Sequence, residues 1–330
     1  MPKRFSILGD GSWGTAIALL LAEHADYEVT LWSARSENAR LLQQARENKQ
    51  FLPDIPIPRS ITLTADVSAA TDKADLLIAA IPTVYLRETL KRFSPLAGDQ
   101  PFLSLAKGLE IDTFARPTEI IQDVLGPRRV GALSGPSHAE EVAKGLPTTI
   151  VAASEDLDFA RWVQSCFTSR RFRVYTNGDL VGVELAGALK NIVGIAAGIS
   201  DGLGFGDNAK SALLTRAVVE MARFGVALGA EQQTFFGLAG MGDLMTTCIS
   251  PHGRNRHVGE RLAKGEKLAE ILASMTMVAE GIFTTRSVHD KAAQMGIDMP
   301  ITTEVYRVLY ENKDPRSAVL DLMTREPKLE

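Results

Sequence analysis

The sequence predicts a mostly parallel, doubly wound α/β domain over residues 1–180, followed by an all-α domain over residues 181–330. Three observations carry that expectation. A glycine-rich turn, Gly9-Asp10-Gly11-Ser12-Trp13-Gly14, joins the apolar run Phe5-Ser6-Ile7-Leu8 to a helix-patterned stretch over 15–23. Strand-like and helix-like segments then alternate as far as residue 175, the rhythm of a parallel sheet with helices on both faces. From Val181 onward the strand pattern stops and helical periodicity takes over.

The elements follow in order. Strands are expected at 5–8, 28–32, 61–64, 75–81, 101–106, 129–133, 148–153 and 172–175. Helices between them are expected at 37–47, 84–93, 117–125 and 157–167. Ile55-Pro56-Ile57-Pro58 interrupts the rhythm and reads as an extended loop, because each proline biases its predecessor away from helix. In the second half, helices are expected over 180–200 and 209–228, the latter capped by Asp207 and stopped at Gly229. Further helices are expected at 256–264, 268–275, 284–295 and 302–310, with Pro300 starting the last and Asn312 ending it.

Bulk composition narrows the function classes. The 330 residues are 45% apolar and 23% charged, enough to build a core and too apolar for long-range disorder. A formal charge of −4 offers no general attraction to nucleic acid or anionic membrane, so an anionic substrate needs a local basic site. Two cysteines, Cys166 and Cys248, make no disulfide framework and favour a reducing compartment, here the cytoplasm. Four residues between Arg4 and Gly9 are too few for a signal-peptide core. The small apolar stretch over 186–199 is interrupted by Lys190 and Asn191 and is not expected to insert in a membrane.

Strand, glycine turn and helix in that order suit a dinucleotide in a Rossmann domain. Gly9 permits the turn, Gly11 lets the backbone approach a pyrophosphate, and Gly14 lets helix and strand pack closely. The second strand ends in Ser33-Ala34-Arg35 with no acid to take a ribose 2′-hydroxyl. A hydroxyl and a guanidinium suit a phosphate better than a diol, so NADP is expected ahead of NAD. The alternative is that Arg35 is a solvated helix-start residue paired with Glu37.

Lys190 stands alone in a helix of small and apolar residues, sharing a face with Val183, Gly187 and Gly194. Burial pushes a lysine pKa towards neutrality, which suits proton transfer; the plainer alternative is an ammonium snorkelling to water. Asn191 adds a second polar group to the same helix. The glycines around Asp243 suggest a loop bringing a carboxylate near a cation, and Gly253-Arg254-Asn255 reads as an anion-binding helix start. Lys107 and Ser134-Gly135-Pro136-Ser137 end successive strands, on the sheet edge where ligands bind. His138 is expected to cap or pack a helix start. Cys248, His252 and His257 fit no compact zinc pattern, and no metal is expected.

These motifs, together with Glu184-Leu185-Ala186-Gly187-Ala188-Leu189-Lys190-Asn191 and Gly240-Met241-Gly242-Asp243-Leu244, occur in a familiar order. The chain resembles the bacterial NAD(P)-dependent glycerol-3-phosphate dehydrogenases essentially from end to end. The resemblance implies interconversion of sn-glycerol 3-phosphate and dihydroxyacetone phosphate, feeding phospholipid synthesis. It implies Lys190 as proton donor or acceptor, with Lys107 and Asp243 beside it. Lys107, Gly135, Ser137, Lys190, Asp243, Gly253, Arg254 and Asn255 would surround the triose phosphate. Gly9, Gly11, Ser12, Trp13, Gly14, Arg35, Lys107, Ala139, Arg254, Val278 and Glu280 would contact the cofactor. Asp10 stands where the family usually has alanine, and Gly253 where it usually has serine. The helical half is expected to supply a homodimer interface. A keto-acid reductase of the same plan and a non-catalytic dinucleotide sensor are the alternatives; the sensor would not need Lys190, Asp243 and Arg254 together.

Overall fold

The computed structural model describes residues 3–326. Among them, the first half of the chain runs β1 (Lys3–Leu8), α1 (Ser12–Leu21), β2 (Tyr27–Trp32), α2 (Ser36–Ala45), β3 (Glu47–Asn48), β4 (Leu52–Pro56), β5 (Ile61–Thr64), α3 (Val67–Thr71) and β6 (Leu76–Ala79). It continues through α4 (Thr83–Lys91), β7 (Phe102–Ser104), α5 (Pro117–Leu125), β8 (Val130–Ser134), α6 (Ala139–Ala143), β9 (Thr148–Ala153), α7 (Leu157–Phe167) and β10 (Phe172–Asn177). Eight strands form one sheet in the order β10-β9-β8-β7-β6-β1-β2-β5. Every pairing in it is parallel except β8 with β9. Alternate residues face opposite sides, so Ile7 and Ile78 join one core while Leu8, Leu77 and Ala79 join the other.

No strand follows β10 among the described residues. The chain goes on through α8 (Leu180–Gly202), α9 (Gly206–Ala227), α10 (Gln232–Phe236), a single π-helical turn (Leu238–Gly242), α11 (Asp243–Ile249) and α12 (Arg254–Ala263). It closes with α13 (Leu268–Ser274), α14 (Glu280–Met295), α15 (Pro300–Tyr310) and α16 (Pro315–Met323). By length and a mean hydropathy of 1.6, α8 could cross a membrane, but 89% of that window is buried within the fold. It is the axis of a third core, wrapped by α9, α11, α12 and α14. Asp179 caps it, accepting from the Gly182 amide at 2.8 Å, and also takes the Glu231 amide and the Thr234 hydroxyl. One carboxylate therefore starts α8 and ties α10 to it, a cap of about 1 kcal/mol before the extra bonds. Glycines let α12 lie almost on the α8 backbone: a Cβ at Gly198 would come within 1.9 Å of the Arg256 carbonyl oxygen.

Several expectations need correction. Residues 55 and 56 are not loop but the end of β4, which pairs antiparallel with β3 in a hairpin outside the main sheet. Prolines are tolerated there because the hairpin is all edge. Asp207 does not cap α9; Phe205 holds the cap position and Asp207 lies in the first turn, where its charge still favours the helix dipole. The segment around Asp243 is not a loop, since the π-helical turn runs directly into α11. A Cβ at Gly240 would meet the Phe235 carbonyl oxygen at 2.1 Å, so its glycine serves close packing. Pro300 does open α15, and Asn312 takes a left-handed φ of 55° just past its end.

Candidate active site

The carboxyl ends of β1, β7 and β8 face the middle of α8 and the α11–α12 corner, and a cleft of about 140 Å³ lies between them. At its nucleotide end, Gly9 takes φ 118° and a Cβ there would meet the Ala80 carbonyl oxygen at 2.5 Å. A Cβ at Gly14 would come within 2.0 Å of the Gly9 carbonyl oxygen, so both positions accept only glycine. Gly11, by contrast, faces open space. No side chain caps α1, whose first amides are left for an anion, and Ser12 and Trp13 of that first turn line the cleft. The Trp13 Nε1 is buried without a hydrogen-bond partner. An open glycine, an uncapped helix start and an orphaned indole N–H together fit a dinucleotide.

Ala139 opens α6 and lines the same wall. Glu280 opens α14 and accepts the Thr83 amide at 2.8 Å, tying α14 to α4 across the cleft. Arg35 holds the cap position of α2 with its side chain exposed. Ser33 is buried, and its hydroxyl is not free as expected: it donates to Asp10 Oδ2 at 2.8 Å.

At the other end, three expected residues from distant parts of the chain meet. Lys190 Nζ donates to Asp243 Oδ1 at 2.7 Å and to Thr247 Oγ1 at 2.6 Å. Lys107 Nζ donates to Asp243 Oδ2 at 2.7 Å, to the Gly135 carbonyl at 2.9 Å and to Ser137 Oγ at 3.2 Å. Lys190 is 6% exposed and Asp243 2%, so snorkelling does not occur. An ammonium has three donors. All three of Lys107 are used within the protein; Lys190 uses two, leaving one for a molecule in the cleft it lines.

Charges follow from burial. Desolvation lowers the Lys190 pKa to about 8, with the Lys107 charge adding to the shift and Asp243 opposing it. Burial by itself would raise Asp243, but the two ammoniums prevail and hold it below the ordinary carboxylate value. Two cations and one anion leave this largely buried centre with one net positive charge, suited to an anionic substrate. Burial, and next the Lys190 charge, pushes His138 below its ordinary value; its Nε2 is buried without a partner and its ring meets His252 at 5.9 Å. His138 does occupy the cap position of α6, without a capping hydrogen bond.

The third group lies at the α12 start. Gly253 holds the cap position, where a Cβ would be 2.9 Å from the Thr247 carbonyl oxygen, so a serine there would have to displace α11. Arg254 is exposed at the cleft mouth and donates to the Val278 carbonyl at 2.9 Å. Asn255 is buried and serves as scaffold: its Nδ2 donates to Asn191 Oδ1 at 2.9 Å, and its Oδ1 accepts the Gly281 amide at 3.0 Å. Asn191 in turn donates to the Lys107 carbonyl at 2.8 Å. One amide chain thus runs from α14 through α12 and α8 to the end of β7.

Sequence reading missed Thr247, although it stands four residues after Asp243 and so on the same face of α11. It noted Asn191 as a polar oddity without a partner. Nothing local signalled the Asp10–Ser33 or Glu280–Thr83 bonds.

Comparison with known proteins gives the family and the fold. The N-terminal model of the NAD-dependent glycerol-3-phosphate dehydrogenase family matches residues 4–160, and the C-terminal model matches residues 179–320. The chain is 49% identical over 331 residues to a glycerol-3-phosphate dehydrogenase (NAD(P)+) of Chlorobium phaeobacteroides strain BS1, covering 99% of each. It is 47% identical to the enzyme of that name from Prosthecochloris aestuarii, covering 98% of this chain and 99% of the other. The crystal structure of glycerol-3-phosphate dehydrogenase from Coxiella burnetii superposes with a TM-score of 0.94 at 38% identity, covering 98% of this chain and 99% of that one.

Proposed function

The chain belongs to the family of NAD-dependent glycerol-3-phosphate dehydrogenases, and from that premise we propose that it interconverts sn-glycerol 3-phosphate and dihydroxyacetone phosphate with Lys190 as the proton carrier. The observation that carries the assignment is the hydrogen count at the two lysines: Lys107 has no N–H to spare and Lys190 has one.

The nicotinamide supplies the hydride when the cofactor is bound. Gly9, Gly11, Ser12, Trp13 and Gly14 would hold the dinucleotide at the glycine turn, and Arg35, Lys107, Ala139, Arg254, Val278 and Glu280 would supply its further contacts. As the ketone is reduced, charge grows on its oxygen; the Lys190 ammonium stabilises that charge and gives up its proton. In the oxidative direction neutral Lys190 takes the hydroxyl proton. Its pKa of about 8 keeps both states accessible near neutral pH. Asp243 orients Lys190 and Lys107 and keeps the two like charges tolerable. Gly135 and Ser137 hold Lys107, whose charge adds to the field. Arg254 takes the remote phosphate, while Gly253 and Asn255 shape the floor beneath it; binding energy there fixes the reacting carbon.

The test is reduced-nicotinamide oxidation by dihydroxyacetone phosphate in the wild type and in Lys190→Ala. Turnover in the variant is expected to fall at least about a hundredfold with nucleotide affinity nearly intact. Near-normal turnover would refute the role of Lys190, and a wild type inactive on dihydroxyacetone phosphate would refute the reaction.

The same reading divides the chain into a dinucleotide-binding domain over 1–180 and a helical substrate domain over 181–330, supported by the last strand ending at Asn177. It supplies the glycerol backbone of phospholipids in the cytoplasm, a compartment favoured by two buried, free cysteines. It works as a homodimer joined through the helical half, where Val226, Leu320 and Met323 expose apolar surface.

A further inference from the structure

We propose that Asp10 makes this enzyme select NAD over NADP, an inference that rests on the dinucleotide site described above. In a Rossmann domain the acid that takes the ribose 2′-hydroxyl ordinarily comes from the end of the second strand. Here that strand ends at Trp32 and is followed by Ser33, with no acid of its own. The carboxylate arrives instead from the glycine turn. Asp10, between Gly9 and Gly11, reaches across so that its Oδ2 accepts the Ser33 hydroxyl at 2.8 Å. A carboxylate therefore stands at the end of β2 although β2 does not encode one.

The backbone that carries that carboxylate is held in place. The Asp10 carbonyl accepts Asn48 Nδ2 at 2.7 Å, and the same nitrogen donates to Thr15 Oγ1 at 2.8 Å. Asn48 is 3% exposed and belongs to β3, so the small hairpin outside the main sheet pins the glycine turn from below. Ser33 is fixed as well, its backbone amide donating to the Thr64 carbonyl at 2.9 Å. The Ser33 hydroxyl, which would otherwise donate to a 2′-phosphate, is engaged within the protein, by Asp10 at 2.8 Å and the Arg35 carbonyl at 3.1 Å.

Arg35 is the opposing influence. Its guanidinium is exposed and makes no side-chain hydrogen bond or ion pair among the described residues, so it stands in high dielectric and is screened by salt. A fixed anion beside a dianionic 2′-phosphate outweighs a mobile cation reaching in from solvent. Towards a 2′,3′-diol the same anion is an acceptor for a charge-assisted hydrogen bond. This proposal runs opposite to the sequence-based expectation of NADP ahead of NAD, and direct binding decides between the two.

The test is direct binding of NADH and NADPH to the full chain, read by titration calorimetry in the wild type, Asp10→Ala, Asp10→Asn and Arg35→Ala. The wild type is expected to bind NADH at least about tenfold more tightly than NADPH, the worth of one hydrogen bond to a charged group. Asp10→Ala should lose that preference by weakening NADH and strengthening NADPH. Asp10→Asn, which keeps the shape of the turn, should strengthen NADPH and guards against a folding defect in the alanine variant. Tighter binding of NADPH by the wild type would overturn the proposal, as would an unchanged ratio in both Asp10 variants. A larger change of ratio in Arg35→Ala than in either would do the same. Failure to bind either nucleotide would remove the dinucleotide site itself, whereas intact NADH binding without turnover of dihydroxyacetone phosphate would fault only the assigned reaction.

Discussion

At the glycine turn the cleft is made largely of backbone: six consecutive residues, Gly9 to Gly14, shape it, and the features that matter are missing side chains and uncapped amides. At the lysine centre it is made of side chains delivered by four elements. Lys190 comes from α8, Asp243 and Thr247 from α11, Ser137 from the turn after β8, and Lys107 from the chain after β7. The first end is shape-controlled, and a single methyl group is enough to close it. The second is charge-controlled, and its geometry depends on a balance of two cations against one anion. A dehydrogenase needs both, because one end must accept a large anion without chemistry and the other must hold a proton it is ready to release.

If the contrast is right, the largest effect should come from the anion of the lysine centre. Asp243→Asn leaves the buried Lys190 ammonium facing the half-buried one of Lys107, and unfolding experiments in urea should show a loss of about 3–5 kcal/mol, the usual result of breaking a buried pair. Turnover should fall with it; full stability and activity in this variant would mean that the centre is not governed by charge. Gly14→Ala probes the other end. Its Cβ would press on the Gly9 carbonyl, so nucleotide affinity should drop and stability fall by about 1–3 kcal/mol without change in the pH dependence of what activity remains. The smallest effect belongs to the cleft mouth. Arg254→Ala should raise KM for dihydroxyacetone phosphate about tenfold and weaken NADH binding much less, since one exposed charged contact is lost. An unchanged KM would put the phosphate elsewhere.

The same contrast explains what the sequence disclosed. The glycine turn was legible because its parts are contiguous and each glycine has a local reason. Lys190 was legible because a lone charge on an apolar helix has no surface pattern to account for it, and the alternation of strands and helices made the parallel sheet plain. The partners were not legible. That Asp10 bonds Ser33, that Asn255 spends its amide on Asn191 and Gly281, and that Glu280 bonds the start of α4 all depend on how elements cross in space. The hairpin of β3 and β4 was hidden because its prolines mimic a loop, and the π-helical turn before Asp243 because its glycines do. Thr247 alone could have been found, by helical spacing from Asp243.

The measurement closest to the central claim is the pH profile of turnover in both directions. Oxidation of sn-glycerol 3-phosphate needs neutral Lys190, so its rate should climb as pH rises through about 8 and then level off. Reduction of dihydroxyacetone phosphate needs the ammonium, so its rate should be level below about 8 and decline above it. Rates in both directions that stay flat from acid to alkaline pH, with chemistry shown to limit turnover, would contradict a proton passing through Lys190.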